Sequence, residues 1–187
     1  MIIFMGVAGA GKSVQGRMVA DELGYPWLST GEFLRMLISG QRRKDMQAGQ
    51  LLKDNEVISL VRQIFGVVDT DNEFVLDGFP RTPAQADWLL SQVKHKQLHM
   101  TAVVHLTASK EGVRSRLLAR GRVDDHEEAI NQRFKEYEEQ ILVIIDDFRK
   151  AGVTVYDIDA DRTIAEVNKD IMAALAPKTL DAAVTTK

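Results

Sequence analysis

The stretch "GVAGAGKSVQ", Gly6 to Gln15, follows the apolar run "MIIFM" and leads into the helical pattern "SVQGRMVADEL", Ser13 to Leu23. Gly6, Gly11, Lys12 and Ser13 fill the pattern G-x-x-x-x-G-K-[ST] in its proper setting, between a strand and a helix. The chemistry behind that spacing is anion binding. Glycines let backbone N–H groups turn inward, the helix N-terminus adds partial positive charge, and a lysine supplies a point charge for the terminal phosphates. The hydroxyl of Ser13 is placed to meet Mg²⁺. Gly9, Ala10, Gly11, Lys12, Ser13 and Val14 are therefore expected to hold a nucleoside triphosphate. By itself the loop names only the donor of a phosphoryl group.

Working outward, short apolar runs alternate with helix-sized segments. "IIFMGV", "PWLST", "EFVLDG", "TAVVHL" and "VTVYDI" read as five strands. Strands separated by helices predict an α/β, three-layer fold with a five-stranded parallel sheet. The region from about 31 to 72 departs from simple alternation and reads as a helical insertion in a single domain spanning 1–187. Hydrophobic residues make up 45% and charged residues 27%, the composition of an ordinary globular chain. A net charge of −3 argues against a nucleic-acid partner. With no cysteine, and with His95, His99, His105 and His126 lacking ligand spacing, no structural metal is expected. No apolar run approaches the roughly 20 residues of a membrane span, and no signal peptide is apparent, so a cytoplasmic protein without a membrane partner is expected.

Three further stretches carry the acceptor: "LSTGEFLR" (Leu28 to Arg35), "MQAGQLLKDNEV" (Met46 to Val57) and "LDGFPRTPAQADWL" (Leu76 to Leu89). Asp77-Gly78 closes a predicted strand, where α/β sites form, and Arg81 follows on a turn that can aim a guanidinium at a phosphate. With "LLARGRVDDHEEAINQRFKEY" these stretches resemble the adenylate kinase family, from Met1 to about Leu175. The resemblance implies a monomeric phosphotransferase that converts ATP and AMP reversibly to two ADP, with Mg²⁺ as cofactor. It assigns Arg35, Gly78 and Arg81 to the phosphate of AMP, Thr30 and Gln85 to its adenine end, Leu51 and Leu52 to the cover over that base, and Asp77 to the water shell of Mg²⁺. Relatives that act on UMP and CMP commonly carry alanine and asparagine where this chain has Thr30 and Gln85. Lys53 departs from the small residue usual in relatives.

Arg116 and Arg120 are four apart and share a helix face, Gly121 ends that helix, and Asp125 with Glu128 has the spacing of a capping box for the next. The resemblance places Arg116 over the ATP adenine and brings Arg120, Arg122 and Arg133 to the transferring phosphoryl group, with Arg122 and Arg133 also on AMP. Asp124 and Asp125 are expected to hold these arginines. Relatives carry several residues or a small domain between the arginines matching Arg120 and Arg122; this chain has Gly121 alone, so its lid, about 120–124, is minimal. A lid excludes water, and its reduction predicts some ATP hydrolysis without AMP. The alternatives are a UMP/CMP kinase of the same fold and a nucleotide-binding regulator with weak turnover.

Overall fold

The structure is a computed structural model that describes residues 1–37, 39–40, 52–121 and 125–184, with side chains described as far as Ala176. Five strands form one parallel sheet: β1 (Ile2–Gly6), β2 (Trp27–Ser29), β3 (Val75–Asp77), β4 (Ala102–Thr107) and β5 (Val155–Asp159), in the order β2-β3-β1-β4-β5. Each expected apolar run coincides with one of them, β4 and β5 running one residue further, to Thr107 and Asp159. The helices that lie within the described residues are α1 (Lys12–Leu23), α2 (Thr30–Leu37), α3 (Asp54–Phe65), α4 (Pro83–Lys94), α5 (Lys110–Arg120), α6 (Glu127–Glu136), α7 (Leu142–Lys150) and α8 (Ile164–Val184), with a π-helical turn, Tyr137–Ile141, joining α6 to α7.

The period of two along β1 explains why three layers form. Ile2 and Phe4 point to one side, into a core with Val19 of α1 and Ile171 and Leu175 of α8. Ile3 and Met5 point to the other, against Val61 of α3, Leu89 of α4 and Phe148 of α7. A strand buried on both faces has no room for polar residues, hence its unbroken apolar run. Each such side chain contributes about 1.5–3 kcal/mol by leaving water. Ile3 pairs with Leu76 on one side and Val103 on the other, so β1 is central and its C-terminal loop emerges in the middle of the sheet edge.

Local signals set the helix ends. Ser109 caps α5 by accepting from the Gly112 N–H at 3.1 Å, and Thr82 caps α4 by accepting from the Gln85 N–H at 3.3 Å. Gly121, left-handed at φ 65°, closes α5 as expected. The capping box at Asp125 does not form. His126 is the cap of α6, its Nδ1 accepting from the Ala129 N–H at 3.4 Å, because the Asp125 carboxylate is committed to two arginines. Trp27 and Trp88 pack against the two cores. Of the expected insertion, the described part contains α2 and α3. Leu51, Arg122, Asp124 and much of "MQAGQLLKDNEV" lie outside the described residues.

Candidate active site

The loop after β1 and the N-terminus of α1 form one wall of a cleft of about 550 Å³ at the carboxyl edge of the sheet. Gly11, in the left-handed region at φ 99°, turns the chain into α1 at the point where a side chain would be strained. Gly9, Ala10, Gly11, Lys12, Ser13 and Val14 all line the cleft. The Lys12 ammonium donates to the carbonyls of Gly6 and Val7, both at 2.9 Å. Burial pushes its pKa down to about 8; Asp77 opposes that shift, while Arg81, Arg120 and Arg133 reinforce it.

The opposite wall is also cationic. Arg35 of α2 and Arg81 both reach over Gly31: a β-carbon there would meet Arg35 Nη1 at 3.4 Å and Arg81 Nη2 at 3.5 Å. Arg81 Nε donates to the Gly78 carbonyl at 2.9 Å, and a side chain at Gly78 would run into Thr30 Oγ1 at 2.9 Å. Two like charges brought to one point cost energy unless an anion neutralises them. Further along, Asp125 is buried and accepts from Arg120 Nε at 2.9 Å and Nη2 at 2.7 Å, and from Arg133 Nη1 at 2.9 Å. One carboxylate thus orients two guanidinium groups. Arg116 is anchored by the Ala160 carbonyl at 2.6 Å.

Lys12, Arg35, Arg81, Arg116, Arg120, Arg133 and Arg162 therefore share a cleft with Glu32 and Asp77, on a chain whose net charge is −3. Such a concentration suits a polyanion. Asp77 is buried; its Oδ2 accepts from Ser13 Oγ at 2.6 Å and from Ser29 Oγ at 3.3 Å.

Comparison with known proteins agrees with this geometry. Residues 4–153 match the family described as adenylate kinase. The chain belongs to the adenylate kinase family. It is 34% identical over 180 residues to an adenylate kinase of Corynebacterium urealyticum, covering 93% of this chain and 98% of the relative. It is 34% identical over 184 residues to one of Leptospira biflexa, with the same coverage, and 31% identical over 211 residues to one of Archaeoglobus fulgidus, covering 93% and 97%. The protein is thus an adenylate kinase-type phosphotransferase of nucleoside monophosphates, with a parallel α/β core.

Of the residues expected at the base end of an adenylate kinase acceptor site, Thr30 and Gln85 are buried. Thr30, Gln85 and Leu52 are not among the residues that line the cleft. Thr30 Oγ1 donates to the Asp77 carbonyl at 3.2 Å. The Gln85 amide is buried: Oε1 accepts from the Arg81 N–H at 2.9 Å, and Nε2 donates to Asp54 Oδ1 at 2.8 Å, which also accepts from Thr82 Oγ1 at 2.7 Å. A backbone N–H only donates and a carboxylate only accepts, so the amide has one orientation. Asp54 was not legible beforehand as a partner of Gln85, being 31 residues away. Ala160, Arg162 and Ile164 line the cleft as well and were not singled out. Their place just after β5, at the carboxyl edge of a parallel sheet, was the available signal.

Proposed function

We propose that the protein transfers a phosphoryl group reversibly between ATP and AMP, with Mg²⁺, as a cytoplasmic monomer. The observation that carries this reading is the convergence of Arg35 and Arg81 over Gly31, in the same cleft as the Lys12 loop. A hydrolase of one triphosphate needs the loop; a second paired-arginine site suits a second phosphate compound. Gly9 to Val14 hold the donor phosphates, Arg116 its base, and Arg35, Gly78 and Arg81 the acceptor phosphate. Thr30 and Gln85 select adenine. Arg120, Arg122 and Arg133 stabilise charge on the transferring group, where positioning and electrostatics supply most of the rate.

The donor set beside the loop fits Mg²⁺. The Ser13 hydroxyl and Asp77 carboxylate are hard oxygen donors 2.6 Å apart, and among the described residues no cluster of acidic or histidine side chains would cage an ion away from phosphate and water. Ser13 and Asp77 would hold it, Asp77 through water, and the bound ion would neutralise phosphate charge. Lys12 moves from the Gly6 and Val7 carbonyls to the phosphates, an exchange of neutral acceptors for charged ones. The test is ADP formation from ATP with AMP, UMP, CMP or no acceptor, with phosphate release followed in the same sample. AMP is expected to be preferred, with slower hydrolysis in its absence. Preference for UMP or CMP overturns the acceptor assignment, and phosphate release without ADP gain from any acceptor overturns transfer.

A further inference from the structure

His105 of β4 is buried at 4% exposure and has no part in the site described above. Its Nδ1 is 2.6 Å from Asp157 Oδ1 on the neighbouring β5, and its Nε2 is 2.8 Å from the hydroxyl of Tyr137, whose ring stacks on it at 5.9 Å. A carboxylate only accepts, so Nδ1 carries the proton and Nε2 receives the Tyr137 O–H. Arg149 of α7 pairs with the other oxygen of Asp157. The chain of contacts therefore runs from the π-helical turn through β4 and β5 to α7. Two of its members, His105 and Tyr137, adjoin the phosphate site. His105 precedes Leu106, which pairs with Gly6, the residue whose carbonyl holds Lys12. Tyr137 is four residues from Arg133, on the same helix face, and its N–H donates to the Arg133 carbonyl.

We infer that Tyr137, held by His105, is a positioning residue for Arg133. One face of α6 and its π-helical end rests on the sheet through the phenol and presents the guanidinium to the cleft one turn earlier. Asp125 fixes the tip of Arg133; the Tyr137–His105 contact fixes the height and rotation of the backbone that carries it. The inference rests on the reading that Arg133 acts on the transferring phosphoryl group. Tyr137→Phe keeps the ring and removes the hydroxyl. It is expected to lower kcat roughly tenfold, inside the hundredfold that a misplacement of about 1 Å can cost, with KM for either nucleotide within about twofold. In an Arg133→Ala background Tyr137→Phe should do nothing further to kcat, because the group it positions is gone. His105→Leu should repeat the loss, and His105→Gln, whose Oε1 can accept from Tyr137, should recover most of it. An equal fractional loss in both backgrounds overturns the proposal. So does a lowered melting temperature with unchanged kcat, the signature of packing alone. If Arg133→Ala itself leaves kcat intact, the underlying reading of Arg133 fails instead, and the proposal with it.

Discussion

The proposed phosphate end and the proposed base end of the site are built differently. At the phosphate end proposed above, Lys12, Arg35, Arg81, Arg120 and Arg133 face a common cleft; Lys12 donates to two backbone carbonyls, Arg81 Nε to one, and Arg120 and Arg133 to the carboxylate of Asp125. At the base end, Thr30 and Gln85 are buried and bonded into the protein, Gln85 through both ends of its amide. Charge is thus gathered in advance, whereas the proposed selectivity for adenine rests on an amide whose orientation is set by Asp54 and the Arg81 backbone. Arg81 joins the two regions: its side chain lies in the cleft over Gly31, and its N–H donates to Gln85.

The strongest way to break the contrast is Lys12→Met. It removes a charge aimed at the phosphates and should lower kcat about 10²- to 10³-fold with the fold intact. Retention of a tenth of turnover, measured with unchanged thermal unfolding, would show that the phosphate end is not prepared as described. Arg81→Ala and Arg35→Ala come next. Each should weaken AMP use by about 1.5–3 kcal/mol and barely change ATP binding, tested by separate titrations of the two nucleotides. Equal loss for both would merge two subsites into one.

At the base end, Gln85→Leu should reduce preference for AMP over IMP by about 1–3 kcal/mol, since the purine edge loses its partners. Asp54→Asn should act in the same direction and more weakly, because a neutral amide can donate as well as accept and no longer dictates the orientation of Gln85. Discrimination ratios from kcat/KM decide this; an unchanged ratio in both variants would remove base reading from Gln85.

The smallest effect is a proton. Lys12 in the free protein has its pKa lowered from the ordinary 10.5 to about 8, and a bound polyanion must raise it again. Between those values the complex holds more protons than the free protein. Binding of ATP should therefore take up about half a proton at pH 8 and weaken as pH rises toward 10, with little dependence from Lys12 below pH 7. Calorimetry in two buffers of different ionisation enthalpy measures the uptake, and zero uptake at pH 8 would mean that Lys12 is fully charged before binding.

Much of this molecule was legible from local pattern alone. The five apolar runs, the glycine-rich loop, the Gly121 helix end and the residue types that bind phosphate each depend on neighbours within a few positions, where backbone sterics and periodicity act. The contacts that orient the site are long-range. Gln85 meets Asp54, Ser13 meets Asp77, and His105 meets Asp157 and Tyr137 only because the sheet order β2-β3-β1-β4-β5 brings distant segments side by side. Even the cap of α6 follows this division: Asp125 has the right spacing, but the two arginines that the fold delivers to it are better partners for a buried carboxylate than a single backbone N–H, and His126 takes its place. The amino-acid sequence by itself determined which groups are present and which chemistry they suit. The tertiary structure decided which of them are free to meet a ligand, because a side chain's hydrogen-bonding capacity is finite and its partners are chosen by folding.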